Sequence, residues 1–484
     1  MSSKPSAAAQ NPETPVEFIS TRQFLTVFAA VAFPMFMSAI DQTLLATATP
    51  AIAADLGDLQ DASWIAVAYL LATVVIVPVY GRLGDAYGRR RVMIISLCVF
   101  TLGAVLCAAA QSLPQLVAGR VVQGLGGGGL VTLAQSLIGE LAPPRQRFRF
   151  QVYITATFTS ASFCGPVIGG LIVDQFHWRW LFLIYLPMSL YAFWRLAKLP
   201  LGARHPEQAG ALDLGGITLF AVAAASSLYW LTSAGHHFAW TSGSSAVWLA
   251  VSAVFTAWLV HQQRTHAAPF LAVDLLRNKA VSHLMIATAL FSAAMFAIVF
   301  FLPIYLQLGH RLSASASGLL LLPLTAGTVI GSIFAGKFAA RTGETKLTLV
   351  AGLCSGTVAL VLLALLPADT TTVAVLGLVA GGCFGTVMPV SQVVSQAVAG
   401  RARLGAAGAL VTIFRFVGGA VGTAMTGALV YALLPGMDLR ALVHTANAAQ
   451  TQAIISAFHV AFLFAAGLTA LAAIVASRMP RVKI

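Results

Sequence analysis

Residues 81–90 read GRLGDAYGRR, and residues 336–345 read GKFAARTGET. Gly81, Arg82 and Gly88 of the first stretch stand at the offsets of Gly336, Lys337 and Gly343 in the second, whereas Asp85 is answered by Ala340. Each stretch closes an apolar run long enough to cross a bilayer as a helix, which takes about 20 residues. A unit met twice in the same sense predicts two parallel repeats with a binding site where they meet, near the membrane midplane.

Fourteen such apolar runs can be counted along the chain, centred near Phe36, Leu71, Cys98, Gly128, Thr159, Leu190, Ala223, Val254, Ala294, Thr328, Thr357, Gly385, Val417 and Phe464. The repeated unit follows the second and the tenth. Two six-helix halves would place it after the second and the eighth, so two additional helices are predicted between the halves. The expected organisation is a tail over 1–23, a six-helix bundle over 24–212, two additional helices and a linker over 213–280, a second six-helix bundle over 281–477, and a tail over 478–484. Backbone groups in lipid must be satisfied within the segment, and the alternating pattern of a membrane barrel is absent. The fold class is therefore an all-α membrane protein with 14 transmembrane helices.

Composition agrees. The chain is 58% apolar and 9% charged, against roughly 25% charged residues in a soluble domain, so its surface must face lipid. The net charge of +13 does not indicate a nucleic-acid partner, because the basic residues form short clusters between apolar runs. Among the 28 Lys and Arg, only Arg179, Arg311 and Arg440 fall on one side of the expected topology, and Arg120 and Arg415 lie within helices. The rest gather on the other side, which by the positive-inside rule is cytoplasmic and holds both termini. The first ~20 residues have no apolar centre and read as a cytoplasmic tail rather than a cleaved signal. The expected location is a bacterial inner (cytoplasmic) membrane. The five cysteines fall in apolar runs with no paired or metal spacing, so no metal and no cofactor is expected.

Ionisable groups inside a membrane are costly and functional by default. Asp41, in MFMSAIDQTLLATATP (35–50), is the one acid well inside a predicted helix. Desolvation disfavours a charged carboxyl, so an acid here suits proton exchange during transport; a fixed ion pair is the alternative. Arg120, in QLVAGRVVQGLGGGG (115–129), keeps its charge and needs a carboxylate, a carbonyl or water. It suits stabilising charged Asp41 or a substrate anion. Arg415, in GAAGALVTIFRFVGGAVG (405–422), is a second interior cation. Two interior cations against one interior acid favour neutral or anionic cargo. His459 is expected to be a hydrogen-bonded helix residue. Gly124 and Gly126 to Gly129 predict close approach of the fourth helix to a neighbour. FCGPVIGG (163–170) supplies Gly165, Pro166, Gly169 and Gly170 for a bend or tight contact. No nucleotide-binding loop, zinc spacing or nucleophile elbow is present, so the chain is not read as an enzyme or a primary pump.

These stretches resemble motifs of the major facilitator superfamily, and the fourteen helices with DQTLLATATPAI (41–52) resemble its fourteen-helix drug:proton antiporter family. The resemblance implies a cytoplasmic gate built from Gly81, Asp85, Gly88, Arg89 and Arg90, with Asp85 meeting charges and a helix N-terminus of the other half. It implies a proton-coupling role for the run holding Arg120, Gln123 and Gly124. It also implies that Gly165–Gly170 is the antiporter glycine motif of exporters rather than importers. Tyr185 departs from the family, which usually carries Asn there, and acids that some multidrug members carry in the second half are missing.

The expected function is proton-coupled antiport exporting amphiphilic small molecules, with Asp41 as proton carrier and Gln123, Phe158, Phe296 and Arg415 as substrate-cavity candidates. Partners are then the cargo, protons and the lipid bilayer. Exporters of this kind can use a periplasmic adaptor, and no segment here marks one. Two alternatives stand beside this: a specific metabolite importer or facilitator, and a transporter-like lipid-handling or sensing scaffold without coupled flux.

Overall fold

A computed structural model of the chain describes residues 20–56, 64–199, 213–234, 238–266, 271–312, 314–366, 369–434 and 448–482. Arg440, most of the predicted N-terminal tail and the last two residues of the C-terminal tail lie outside these residues. The helices of the first half are α1 (Thr21–Leu56), α2 (Trp64–Tyr87), α3 (Arg89–Ala109), α4 (Leu113–Leu141), α5 (Pro144–Gln175) and α6 (Trp180–Ala197). Then come α7 (Leu214–Ser233) and α8 (Gly243–Thr265). The second half holds α9 (Lys279–His310), α10 (Leu322–Thr342), α11 (Thr345–Leu365), α12 (Thr370–Ala399), α13 (Leu404–Leu433) and α14 (Ala448–Ser477). The described residues contain no strand, only an isolated bridge between Ala234 and Phe238.

Each predicted apolar centre falls inside one of these helices. Thirteen of them are long and apolar enough to cross a membrane. The fourteenth, α5, is as long but opens on PRQRFRFQ, whose charges lower its apolar character. Helix starts carry their own stop signals. Asp213, Asn278 and Asp369 accept hydrogen bonds from first-turn amides of α7, α9 and α12, and prolines occupy the first turn of α4, α5 and α10, where no donor is lost.

The buried apolar residues form two large cores. One joins α1 to α6 around Phe24, Met35, Phe100 and Phe182. The other joins α9 to α14 around Phe291, Tyr305, Phe384 and Phe458. A small third cluster, Leu219, Phe220 and Leu259 of α7 and α8, packs on Val74 of α2 and Ile413 of α13. The additional helix pair therefore lies over the seam between α2 and α13.

The repeat has a structural reason. Gly88 and Gly343 adopt φ of 93° and 70°, the left-handed region that side chains rarely enter, and they turn α2 into α3 and α10 into α11. Gly81 and Gly336 let each repeat helix touch backbone across the halves. A Cβ on Gly81 would lie 2.6 Å from the Gly405 carbonyl oxygen of α13, and one on Gly336 would lie 2.6 Å from the Phe148 carbonyl oxygen of α5. The paired crossings of α2 with α13 and of α10 with α5 lie at one end of the molecule. Arg89, Arg401 and Arg403 sit at that end, called below the basic face.

Candidate functional site

The first constellation is buried inside the first half. Arg120 Nη1 of α4 donates to Asp41 Oδ2 of α1 at 2.7 Å, and both side chains are only 1% exposed. Gln123, one turn along α4, completes the arrangement. Its Nε2 donates to Asp41 Oδ1 at 3.0 Å while its Oε1 accepts from Arg120 Nη1 at 2.8 Å. Arg120 Nε donates to the Ile65 carbonyl of α2 at 2.9 Å, and its guanidinium lies 4.3 Å from the Tyr69 ring centroid. The Tyr69 hydroxyl pairs with Ser38 Oγ, which donates to the Gly127 carbonyl. A buried charge survives only when it is paired and hydrogen-bonded, and here both oxygens of the acid have a donor.

The glycines place these groups. Gly124 and Gly128 face α2 carbonyls and Gly126 faces the Phe100 backbone of α3, so α4 is wedged between α2 and α3. Gly165 of α5 meets Thr43, two residues beyond Asp41 on α1, and Gly169 is buried. The surroundings of Pro166 and Gly170 lie outside what is described. Tyr185 of α6 faces Asp41 with a buried hydroxyl that finds no partner of good hydrogen-bond geometry. Nothing in the sequence singled out Tyr69, and Tyr185 stood out only as a departure from the family pattern.

The second constellation closes the basic face. Asp85 at the end of α2 accepts from the Gly405 and Ala406 amides, at 3.0 and 3.1 Å, in the first turn of α13. Those amides have no partner within their own helix, and the helix dipole favours an anion there. Arg89 donates to Asp85 at 2.7 Å, to Glu140 of α4, and to the Arg401 carbonyl of the other half. Arg401 returns a bond to the Glu140 carbonyl. Arg90 does not join this set: its Nη2 donates to the Ala197 carbonyl at the end of α6, within its own half. Beside the set, Arg403 holds Asp274 in a two-bond ion pair at 2.6 and 2.8 Å, and that carboxyl is held below the usual carboxylate range by those bonds. At the matching crossing of α10 with α5, Ala340 offers no carboxylate and Arg147 bonds the Ala142 carbonyl of its own chain end.

Asp41 is thus one of several buried acids, since Asp85 and Asp213 are 4% and 3% exposed. Asp213 caps α7 and accepts from Gln262 and Gln263 of α8. The cavity candidates divide. Phe158 is half-buried against the first core. Phe296 lies against Gly419 of α13. Arg415 is half-buried and stands apart from every acid among the described residues. His459 bonds the Tyr305 hydroxyl at 3.1 Å. No cluster of metal-binding side chains occurs among the described residues.

Two helical halves that meet through a repeated crossing, with a buried charge pair in one of them, define a polytopic transporter fold. The family model for the Major Facilitator Superfamily matches residues 31–423, and the chain belongs to that superfamily. It is 34% identical over 406 residues to an uncharacterized MFS-type transporter of Mycobacterium tuberculosis, covering 83% of this chain and 59% of that protein. It is 32% identical over 402 residues to the multidrug transporter protein MdtP of Bacillus subtilis, covering 82% of this chain and 74% of that protein. The alignment thus spans less than two thirds of the mycobacterial relative's length. Among solved structures, the human organic anion transporter MFSD10 superposes with a TM-score of 0.66 at 15% identity, over 93% of this chain and 99% of that one. The proton:xylose symporter XylE superposes with a TM-score of 0.62 at 15% identity, over 96% and 98%.

Proposed function

We propose that this transporter is a proton-coupled antiporter that exports amphiphilic small molecules by alternating access, with Asp41 as the proton carrier. The observation that carries the reading is the buried triad of Asp41, Arg120 and Gln123. A carboxylate sealed from water beside a fixed cation keeps its charge while the pair is intact. Movement of α1 against α4 within the first half would separate the pair and free the acid for proton exchange. The similarity to MdtP, named a multidrug transporter, supports cargo of broad type. The Gly165 contact with α1 next to Asp41 gives a path by which movement of α5 reaches the proton site.

In this reading Asp85, Arg89, Gly81 and Gly88 form the gate, and Arg90 anchors α3 to α6 within the first half. The basic face is cytoplasmic by the positive-inside rule, so the closed crossing there belongs to a state shut toward the cytoplasm. The membrane is the bacterial inner membrane. The residues divide into the two bundles, 24–212 and 281–477, with 213–280 as the additional helices and linker.

The test is proton-coupled flux in inside-out vesicles acidified inside and challenged with neutral, anionic and cationic amphiphiles. Cargo-triggered proton release by wild type, lost in Asp41→Asn and retained in part by Asp41→Glu, is the expected result. Equal release from wild type and Asp41→Asn would move the proton elsewhere. Uptake of cargo together with protons would replace antiport by import.

A further inference from the structure

The two interior arginines differ in one respect. Arg120 has a carboxylate, an amide and a carbonyl around it. Arg415 has no such partner among the described residues: its Nε is buried without a hydrogen bond, and the Phe416 ring centroid lies 4.8 Å from its guanidinium carbon. Arginine cannot discard its charge by losing a proton. An unpaired cation inside a membrane helix is too costly to be idle packing.

Its position is interior. Val417, Val421, Met425 and, at the helix end, Leu433 are the exposed large apolar residues of α13, and helical spacing turns the first three away from Arg415 by roughly 160°, 120° and 80°. Arg415 shares its face with Gly408, Thr412 and Gly419. Gly408 stands against the Gln392 side chain of α12, and Gly419 against the Phe296 ring of α9. Gln396, one turn beyond Gln392, stands against Gly139 of α4, so this face runs along the boundary between the two halves. The side-chain nitrogens of Gln392 and Gln396 are buried and have no hydrogen-bond partner. An arginine side chain on a helix leans toward the N-terminus, here toward Gln392.

Arg415 Nε, Gln392 Nε2 and Gln396 Nε2 are therefore three unpartnered nitrogen donors on one interior boundary, with aromatic rings beside them. A set of this kind is complementary to a ligand that brings acceptor oxygens with negative charge and an apolar body. We propose that Arg415 and Gln392 form a binding site for the acidic head group, a carboxylate or sulfonate, of amphiphilic cargo. Phe296 receives the apolar part. The export reading gives the site its purpose, but binding does not depend on proton coupling.

The experiment measures equilibrium binding of three matched dansyl probes to the full chain in nanodiscs, with empty nanodiscs subtracted. The probes are dansylglycine (anion), its methyl ester (neutral) and dansyl-ethylenediamine (cation). Wild type is expected to bind the anion about tenfold more tightly than the other two, the scale of a charge-assisted hydrogen-bonded pair. Arg415→Gln is expected to erase that preference while ester affinity stays within about twofold, and Arg415→Lys to keep part of it. Equal affinities for the three probes in wild type would overturn the site without any variant. A preference that survives Arg415→Gln, or an equal loss of anion and ester binding, would overturn it as well. Anion preference without proton-coupled flux would sink the antiport reading alone, and flux without anion preference would sink this site alone.

Discussion

Arg120 Nη1 lies 2.7 Å from Asp41 Oδ2, and the two side chains are each 1% exposed. Breaking such a pair by removing one partner leaves an uncompensated buried charge and typically costs about 3–5 kcal/mol, whereas removing both can be close to neutral. Asp41→Asn and Arg120→Gln are each expected to destabilise the protein by about 3 kcal/mol. The double variant should fall well short of the sum, because the two residues share one network with Gln123. Denaturant unfolding of the purified protein in detergent closes the cycle. Additive effects would mean that the two charges are independently solvated.

The Asp85 carboxylate ties α2 to two amides of α13 across the halves. Asp85→Ala removes those bonds and one of the two carboxylate partners of Arg89, so the closed basic face should lose its advantage. Ser395 of α12 is fully buried, one residue before Gln396, which stands against Gly139 of α4 across the halves. In a background with the five native cysteines replaced, Ser395→Cys is expected to react with a hydrophilic maleimide about tenfold faster once Asp85→Ala is added, the change expected from losing roughly 1.4 kcal/mol of closed-state preference. An unchanged labelling rate would show that the helix crossing at Gly81 and Gly405 holds the face shut without the acid.

How far the sequence foretold this arrangement follows from the range of the interactions. The helices were legible because crossing lipid demands a local run of apolar residues, and α5 was counted by its apolar centre although its first turns carry charge. The repeat was legible because Gly88 and Gly343 meet a local backbone demand. Asp41 and Arg120 stood out as charges in apolar runs, but their pairing joins residues 79 positions apart, and no local pattern encodes it. The same holds for the Gly405 and Ala406 amides that receive Asp85, which are backbone groups with no sequence signature. Arg90 illustrates the converse: a basic residue inside the motif whose bond, to the Ala197 carbonyl, depends on where α6 happens to end. Asp213 was read as a domain boundary and is a buried cap, because its partners Gln262 and Gln263 sit on the next helix.

Asp274 and Arg403 offer a pH-dependent contact outside the membrane. The Arg403 hydrogen bonds hold the Asp274 carboxyl below its usual range, so its folded form binds protons less readily than its unfolded form. The contribution is then fully present above about pH 4 and fades as pH falls through the carboxylate range. Both side chains are more than a third exposed, which limits the pair to about 1 kcal/mol or less and makes it sensitive to salt. The difference in melting temperature between wild type and Asp274→Asn is expected to be small at neutral pH in low salt. It should shrink in high salt and close as the pH is lowered through the carboxylate range. A difference that persists at acid pH would assign the effect to packing of the 273–277 turn.

The Tyr185 hydroxyl is buried beside Asp41 and finds no partner of good hydrogen-bond geometry. Leaving a buried hydroxyl without a partner costs about 1–3 kcal/mol, and phenylalanine would fill the same space without that cost. Tyr185→Phe is therefore expected to raise unfolding stability by about 1 kcal/mol in this state. If stability were the whole account, the hydroxyl would have no purpose. A group that is unsatisfied in one conformation and adjacent to Asp41, the proton carrier proposed above, is placed to serve that acid in another, once Arg120 withdraws. Proton-coupled flux in Tyr185→Phe vesicles should accordingly fall, by about tenfold for one lost hydrogen bond to a charged group, while probe binding at Arg415 is unchanged. Higher stability with lower flux is the pattern of a residue held for function at the expense of packing. Higher stability with unchanged flux would show that the hydroxyl takes no part in the cycle.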